Sequence, residues 1–466
     1  MSDFVGRAHE LSALTGLLER VAAGIGTARP GRCLLMRGRR RIGKSALAEE
    51  FIRRSGVPSL FYTSARESPE AELSQLLEAV AASDLPEREA FTQVAPASWS
   101  GALQHLASAL PDDRPSIVVM DEIPYLMERV DAFEGVLQRA WDRALSRKPV
   151  LLLLIGSDLS MMEALNSYER PFHQRGTQMV VGPLNPAEIQ HMLGLGAAEA
   201  FDAALVTGGL PLICGEWRRG QGLWEFLHDS LTDPISALRV SAELSLSAEF
   251  PPEAQAREVL HAIGAGERSF VNIARASGGI AHSTLTRATA VLTAKGIVSA
   301  DLPVSLRPSK ERRYRITDAY LRFWLHFLRP HLAEIERRRG DLTLRRIASQ
   351  WSSWRGRAVE PLIREAVARL APDAGVVGSY WTRSNEVEID IVGADRGPIA
   401  KELTFVGSIK WLESAFDRHD FAALAAHRAA LTDQAVPLMG VSRGGFSCDG
   451  LDVVYGAEEL LRAWER

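Results

Sequence analysis

Short runs of consecutive apolar residues mark the first part of the chain, at residues 33–36, 60–62, 117–120 and 150–155. Continuous apolar runs of this length are typical of parallel strands that are buried on both faces of a sheet. Between the runs, apolar residues recur every three to four positions, which predicts amphipathic helices. The pattern therefore predicts an α/β domain with helices packed on a parallel sheet.

A glycine-containing motif follows the first apolar run. Residues 38–45 are Gly-Arg-Arg-Arg-Ile-Gly-Lys-Ser, which matches the phosphate-binding pattern G-x-x-x-x-G-K-[ST], and a helical pattern follows over residues 46–52. Strand, loop and helix are the context that this motif requires. Backbone N–H groups and the positive end of the helix would bind the phosphates of a nucleotide. The predicted nucleotide-binding residues are Gly38, Arg39, Arg40, Arg41, Ile42, Gly43, Lys44, Ser45, Ala46 and Asp121.

Acidic and polar residues end the next two buried runs. Asp121 and Glu122 follow one run, and Ser157 follows the other. The carboxyl ends of parallel strands meet at one edge of a sheet, so these side chains are expected beside the phosphate loop. Lys44 is predicted to contact the β- and γ-phosphates, while Ser45 and Asp121 are predicted to hold Mg²⁺. Glu122 is the predicted general base, and Ser157 is the predicted sensor of the water or γ-phosphate.

The order of motifs resembles the archaeal-type ATPase family, which lies near the AAA+ and STAND branches of P-loop NTPases. Besides the phosphate loop, the resemblance rests on G-R-x-x-E-L at residues 6–11, D-E-I-P-Y-L at 121–126, G-S-D-L-S-M-M at 156–162 and Gly-Pro-Leu at 182–184. It implies an ATPase that uses ATP and Mg²⁺, with Arg175 as the candidate arginine finger. Gln174 replaces the usual small residue before it, and a surface arginine is the alternative interpretation.

The resemblance and the changes of pattern predict a P-loop NTPase (ASCE, AAA+-like) followed by further modules. G-G-x-P at residues 208–211 resembles the nucleotide-sensing lid of the family, and residues 314–324 resemble its Y-R-I-x-D-x-x-L-R-F-W signature, whose aromatic residues are predicted to be core. The predicted segments are an ATPase core at 1–185, a helical lid at 186–249, a winged helix-turn-helix at 250–318, a helical linker at 319–350, and a degenerate nuclease-like domain at 351–466.

Apolar positions at 259–263, 270–274 and 285–292 predict three short helices, and 297–298 and 314–316 predict the two strands of a wing. The second helix of the motif is expected at 283–295. The candidate DNA-contacting residues are Ser283, Thr284, Arg287, Arg312 and Arg313, with Arg307 and Lys310 as further cations of the wing. A docking surface for protein is the alternative interpretation.

From about residue 351 the chain resembles the α/β restriction-endonuclease-like extension of the family. Glu360, Glu388, Asp390 and Lys410 match residues that such nucleases place around Mg²⁺. Ser408 stands where a second metal-binding carboxylate is expected, and a neutral hydroxyl does not replace it. We therefore predict a retained fold with lost or impaired cleavage, and a structural pair between Lys410 and Asp390. An active ATP-coupled nuclease is the alternative.

The composition and net charge of the chain limit the classes of partner that it is expected to bind. The net charge is −4, so the chain as a whole is not a basic nucleic-acid-binding protein, although a local patch remains compatible with DNA. Three widely spaced cysteines and no basic-then-apolar start predict a cytoplasmic protein without a membrane segment. The predicted function is Mg²⁺-dependent ATP hydrolysis coupled to modules that act on DNA. A nucleotide-gated regulator with little turnover is the alternative, and a homo-oligomer or an unidentified protein partner is expected with either.

Overall fold

The computed structural model describes residues 4–94, 96–168, 170–249 and 255–465. Internal contacts divide the chain into two units, Met1–Pro183 and Leu184–Arg466. The predicted end of the ATPase core, residue 185, lies close to this division. The predicted boundary between lid and winged helix, at residue 250, lies outside the described ranges, and the segments proposed within unit 2 stay a prediction. In the described ranges, every helix is too short or too polar to cross a lipid bilayer.

Unit 1 contains a parallel sheet of five strands in the order β2-β3-β4-β1-β5. Strand β4 lies between β1, which leads into the phosphate loop, and β3, which ends in Asp121. This insertion is the strand order of the ASCE division of P-loop NTPases, so the predicted fold class is confirmed. The strands are β1 (Arg32–Arg37), β2 (Ser59–Thr63), β3 (Ser116–Asp121), β4 (Val150–Gly156) and β5 (Thr177–Val180).

Every residue of β3 and β4 is buried, which explains their uninterrupted apolar sequences. Helices connect the parallel strands and pack on the sheet, as crossover connections require. These are α1 (Ala8–Ala23), α2 (Lys44–Ser55), α3 (Pro69–Ala82), α4 (Arg88–Val94), α5 (Trp99–Ala109), α6 (Ile123–Arg129), α7 (Phe133–Arg143) and α8 (Leu159–Ala164).

Unit 2 begins with the helices of the predicted lid, and α10 is buried along most of its length. They are α9 (Pro186–Leu193), α10 (Ala197–Thr207), α11 (Pro211–Cys214), α12 (Leu223–Thr232) and α13 (Ala237–Glu249). Gly209, between α10 and α11, has φ +66°, and a Cβ there would lie 2.1 Å from the carbonyl oxygen of Leu184. Only glycine fits this turn, because both the backbone conformation and the space exclude a side chain.

The next elements have the order of the predicted winged helix-turn-helix: three helices and an antiparallel pair of strands. They are α14 (Gln255–Gly264), α15 (Phe270–Ala276), α16 (His282–Ala294), β6 (Val298–Asp301) and β7 (Arg313–Ile316). Helix α17 (Ala319–Phe323) and a π-helical turn, Trp324–Leu328, follow. Tyr320, Phe323 and Trp324 are buried, so the prediction that the aromatic signature is core is confirmed.

The C-terminal part is a second five-stranded sheet in the order β12-β11-β10-β9-β8. Strand β9 is antiparallel to both of its neighbours, β8 and β10, whereas β11 is parallel to both of its neighbours, β10 and β12. The elements are α18 (Leu332–Glu336), α19 (Gly340–Ala358), α20 (Glu360–Leu370), β8 (Val376–Trp381), β9 (Glu388–Ala394), β10 (Leu403–Lys410), α21 (Arg418–Leu431), β11 (Leu438–Ser442), β12 (Val453–Tyr455) and α22 (Ala457–Leu461).

Candidate functional site

The phosphate loop joins β1 to α2 through a tight turn. Arg41 and Gly43 have φ values of 63° and 85°, in the left-handed region. A Cβ on Gly38 would lie 2.5 Å from the carbonyl oxygen of Val181, so the start of the loop admits only glycine. The turn brings the N-terminus of α2, which begins at Lys44, to the mouth of the loop. A helix N-terminus in this place favours an anion.

The Lys44 side chain is buried beneath the loop. Its Nζ donates to the carbonyl oxygens of Gly38 at 2.8 Å and Arg39 at 3.0 Å. Burial lowers the pKa of Lys44; the charges of Glu122 and Asp121 raise that pKa, and the charge of Arg40 lowers it. The ammonium group is therefore held at the loop by neutral acceptors, which compete weakly with an anionic ligand.

A chain of hydrogen bonds connects the predicted metal and catalytic residues. Ser45 Oγ donates to Asp121 Oδ2 at 2.5 Å, and the backbone N–H of Glu122 donates to Asp121 Oδ1 at 2.8 Å. Ser157 Oγ donates to Glu122 Oε2 at 2.9 Å. Glu122 has φ 54°, a left-handed conformation that is uncommon outside glycine and is often found at functional sites. The structure thus brings these four residues together at the edge of the sheet.

The donor set at this edge fits Mg²⁺. The Ser45 hydroxyl and the Asp121 carboxylate are hard oxygen ligands, which Mg²⁺ prefers, and the cation usually takes one or two protein oxygens beside phosphate and water. The two side chains already lie within hydrogen-bond distance of each other.

Arg7 is a residue of this site whose contact the sequence did not reveal. Its Nη2 donates to the carbonyl oxygen of Ile42 at 2.9 Å, and its Nη1 pairs with Glu10 Oε1 at 3.1 Å. Arg7 is 3% exposed and has φ 63°. The spacing Arg-x-x-Glu in G-R-x-x-E-L was the available signal, since an arginine and a glutamate three positions apart can pair at a helix start. The N-terminal motif therefore contacts the phosphate loop and stabilises its backbone at Ile42.

Arg175 is bound within its own unit. Its Nε and Nη2 contact the carboxylate of Asp142 at 2.9–3.1 Å, and its Nη1 donates to the carbonyl oxygens of Pro171 and His173. A guanidinium held in this forked geometry by a carboxylate is strongly oriented. The finger role stays a prediction, and it would require this ion pair to open.

Arg40 extends from the phosphate loop to α6. Its Nη2 donates to the hydroxyl of Tyr125 at 2.6 Å. The guanidinium of Arg66 lies 5.4 Å from the centre of the Tyr125 ring and also pairs with Glu128 at 3.0 Å. Tyr125 therefore links the loop to the helix that directly follows Glu122.

In the C-terminal sheet, Asp390 is satisfied by neutral donors. Its Oδ2 accepts from Ser408 Oγ at 3.0 Å and from the N–H of Ile409 at 2.8 Å. Burial, followed by the nearby charge of Glu360, raises the pKa of Asp390 to about 7. Lys410 Nζ donates to Asp420 at 2.9 Å, so the predicted structural pair of Lys410 with Asp390 is wrong. Lys410 pairs with a carboxylate on the neighbouring helix α21 and not with the carboxylate of Asp390 on the adjacent strand β9.

The remaining predicted nuclease residues are bound to arginines. Glu360 pairs with Arg364 at 3.3 Å, and Arg364 Nη1 also donates to the carbonyl oxygen of Asp390 at 2.9 Å. Glu388 pairs with Arg313. Across the part of the chain that the structure describes, no three histidine, cysteine or acidic side chains are grouped so that they could hold a metal ion. Glu360 and Glu388 are therefore each in an ion pair with an arginine in this structure.

The loop between β6 and β7, which the sequence predicts to be a wing, contacts the C-terminal sheet. In the wing loop, residues 302–312, the N–H groups of Val304 and Ser305 donate to the carbonyl oxygens of Ser379 (2.9 Å) and Pro398 (3.1 Å), and the N–H of Ala400 donates back to Ser305 at 2.9 Å. Val304 is 5% exposed within the core of that sheet. The wing loop is thus an added edge segment of the C-terminal sheet.

Arg313 sits at the same contact. Besides the ion pair with Glu388, its Nη2 donates to Asn385 Oδ1 at 2.7 Å, and its guanidinium lies 4.6 Å from the centre of the Trp381 ring. The prediction placed Arg313 and Glu388 in two different sites, and the structure joins them. The other candidate DNA-contacting residues are exposed or half-exposed: Ser283, Thr284, Arg287 and Arg312.

A buried ion network inside unit 2 connects the predicted lid to the C-terminal part. Asp202 on α10 contacts Arg355 at 3.3 Å and Arg443 at 3.1 Å, and both arginines also contact Glu413. Burial raises the pKa of Asp202 to about 6, although the two arginines oppose the shift. Nothing in the local sequence of these residues announced the network, because its members are up to 241 residues apart (443 − 202).

The comparisons with known proteins match different parts of the chain. A family model described as "Archaea bacterial proteins of unknown function" (DUF234) matches residues 324–421. A curated relative from Methanocaldococcus jannaschii, the uncharacterized protein MJECL04, is 23% identical over 403 residues and covers 83% of each chain.

Two solved structures are similar to this chain over most of their own length. The Walker-type ATPase PABY2304 of Pyrococcus abyssi is 17% identical with a TM-score of 0.49, covering 69% of this chain and 96% of its own. The ORC2 protein of Aeropyrum pernix is 14% identical with a TM-score of 0.45, covering 75% and 98%. The strand order of unit 1 and the geometry of its phosphate loop identify the P-loop fold independently of these two structures.

Proposed function

We propose that this chain is an archaeal-type P-loop ATPase with a C-terminal domain of unknown function, and that it binds ATP with Mg²⁺ and hydrolyses it. The observation that carries the proposal is the continuous connection from Ser45 through Asp121 and Glu122 to Ser157 beside the N-terminus of α2. Anion binding, cation binding and a candidate base are all provided at the same edge of one sheet.

Each residue has a distinct task in the proposed reaction. Loop N–H groups bind the β-phosphate, and Lys44 exchanges its carbonyl acceptors for β- and γ-phosphate oxygens. Ser45 and Asp121 would hold Mg²⁺, which would neutralise charge on the phosphates. Glu122, oriented by Ser157, accepts a proton from the water that attacks the γ-phosphorus.

Unit 2 is proposed to respond to the nucleotide and to act on DNA. Support comes from the helix-turn-helix order and from α16, whose Ser283 and Arg287 are exposed. The wing supports DNA binding less, because its loop is paired with the C-terminal sheet and Arg313 is bound to Glu388. A nucleotide-gated switch that binds protein is the alternative. We do not propose nuclease activity, since Glu388 and Lys410 are both in ion pairs.

Steady-state ATP hydrolysis, with and without duplex DNA, tests the proposal. Native protein is compared with Lys44→Ala and Glu122→Gln. Turnover that both substitutions abolish, with ATP binding retained in Glu122→Gln, is the expected result. Stimulation by DNA would support the action on DNA, whereas turnover that is indifferent to DNA would support a protein partner. If the native protein binds ATP but does not hydrolyse it, the proposed ATPase activity is wrong and the nucleotide-gated switch is favoured.

A further inference from the structure

Arg40 lies in the phosphate loop, four residues before Lys44, and its guanidinium is directed to α6. Its Nη2 donates to the Tyr125 hydroxyl at 2.6 Å, and the N–H of Tyr125 donates to the carbonyl oxygen of Glu122 at 2.9 Å. The anchor of Arg40 is therefore one helical turn from the candidate base.

The surroundings of Arg40 are rich in positive charge. Arg40 is close enough to Lys44 for its charge to lower the pKa of the ammonium group. Arg66 lies over the same Tyr125 ring as Arg40, at 5.4 Å and 6.0 Å from the ring centre respectively, so two guanidinium groups meet at Tyr125 beside the loop. Like charges repel at such distances, and a bound triphosphate would reverse the sign of the interaction.

The acceptor that holds Arg40 is a neutral phenol, whereas Arg175 is held by the carboxylate of Asp142. Arg175 forms a pair of opposite charges with Asp142 through more than one hydrogen bond, whereas the bond of Arg40 to Tyr125 has only one charged partner. Arg40 is therefore the easier of the two to redirect to a phosphate. Redirecting Arg40 also leaves the ion pairs of the unit intact.

We propose that Arg40 contacts the γ-phosphate of ATP bound to its own chain and stabilises the charge that develops there during hydrolysis. Tyr125 is the positioning residue that holds the guanidinium before ATP binds. The inference rests on the proposed function and deepens it. Water adds to the γ-phosphorus and gives its proton to Glu122, while the bond from that phosphorus to the β–γ bridging oxygen breaks and ADP leaves with its electron pair. Arg40 keeps its protons throughout.

Single-turnover and steady-state hydrolysis of Arg40→Ala test the proposal. We expect kcat to fall about 100-fold or more, the usual effect of removing one transition-state donor. ATP affinity should change by less than about threefold, because the interaction forms mainly in the transition state. Arg40→Lys should recover part of the loss, since it restores the charge without the fork. Arg129→Ala, an exposed arginine on the same helix as Tyr125, is the matched control and should keep native kcat.

Mixing separates action within one chain from action between chains. Lys44→Ala has an inactive site but an intact Arg40, so it would rescue Arg40→Ala only if Arg40 reached a neighbouring site. We expect no rescue in equimolar mixtures, and rescue would overturn the proposal. Tyr125→Phe should lower kcat in the native background and have no further effect in Arg40→Ala, because the two residues act as one unit.

Failure of the inference and failure of the proposed function give different results. Lys44-dependent turnover with native kcat in Arg40→Ala would overturn the inference alone. Absence of turnover in the native protein would overturn the proposed function. Arg40 would then be judged by binding of ADP with aluminium fluoride, a transition-state analogue. Arg40→Ala should lose the preference for this complex over ADP, and an unchanged preference would overturn the inference.

Discussion

The guanidinium of Arg313, at the start of a wing strand, is bound to the carboxylate of Glu388 on a strand of the C-terminal sheet. Two residues that the sequence assigned to DNA binding and to a metal site thus neutralise each other. Because Arg313 also bonds Asn385 and lies on the ring of Trp381, its main effect is expected on stability.

We expect Arg313→Ala to lower the free energy of unfolding of unit 2 by about 2 kcal/mol, as for loss of a charged hydrogen-bond partner. Arg312→Ala, the exposed neighbour, should change it by less than about 0.5 kcal/mol. Urea denaturation followed by tryptophan fluorescence measures both, since Trp381 lies at the contact. Equal effects of the two substitutions would contradict the role assigned to this ion pair.

The same pair of residues bears on DNA affinity. Arg287 is exposed on α16, whereas the charge of Arg313 is already neutralised by Glu388. If unit 2 binds duplex DNA, fluorescence anisotropy should show a larger loss of affinity for Arg287→Ala than for Arg313→Ala. The opposite order would show that the wing, and not α16, makes the main contact.

The turn at Gly209 gives a prediction with a matched control. Gly209→Ala must place a Cβ against the carbonyl oxygen of Leu184 in a left-handed conformation, and Gly278 has a similar φ of 80° with no atom near the Cβ position. Gly278→Ala should cost about 1 kcal/mol from the backbone alone. Gly209→Ala should cost more, by about 1–3 kcal/mol. Thermal denaturation of the two variants compares them, and equal midpoints would exclude the close contact.

The residues of the ion network at Asp202 should contribute very unequally to the free energy of unfolding. Arg355→Ala removes one partner of a buried carboxylate, which usually costs about 3–5 kcal/mol. Glu413→Ala removes a carboxylate that is 75% exposed, for which about 0–1 kcal/mol is expected. Chemical denaturation of full-length protein at pH 7 measures the difference. A loss in Glu413→Ala as large as in Arg355→Ala would contradict a buried origin of the stabilisation.

Asp390 should make stability depend on pH. Its pKa is raised from an ordinary value near 3.8 to about 7, so the folded state binds the proton more tightly than the unfolded state does. The stabilisation from this proton is complete below about pH 4 and is lost as pH rises through about 7. Asp390→Asn keeps an oxygen acceptor for Ser408 and Ile409 without the charge. Its melting temperature should exceed that of native protein more at pH 8 than at pH 5, and a constant difference would contradict the raised pKa.

The sequence predicted features that are determined locally. The strands around residues 33–36 and 150–155, the phosphate loop and the buried aromatic helix at Tyr320 were recoverable because motif, periodicity and composition agree within a few residues. The resemblance to archaeal-type P-loop ATPases depends on such local motifs. The family model matches residues 324–421, across the predicted linker and the first part of the predicted C-terminal domain.

Pairings between charged side chains were not predictable in this way. Glu388 and Asp390 are two positions apart on β9 and so lie on one face of the strand, yet their partners are set by packing. Arg313 is 75 residues before its partner Glu388, and Lys410 pairs with Asp420 on helix α21. A one-dimensional pattern says which residues share a face, but it does not say which oppositely charged group the fold brings to that face.

The pairing of Val304 and Ser305 with Ser379, Pro398 and Ala400 has a consequence for how the chain is made and divided. During synthesis the wing loop emerges long before its partners, so Val304 stays without its buried environment until the last hundred residues are complete. A truncation at about residue 350, which looks like a domain boundary, would leave that apolar segment and its unpaired backbone groups in water, as an edge on which chains aggregate. We therefore expect residues 255–316 to be expressed intact only together with the C-terminal sheet.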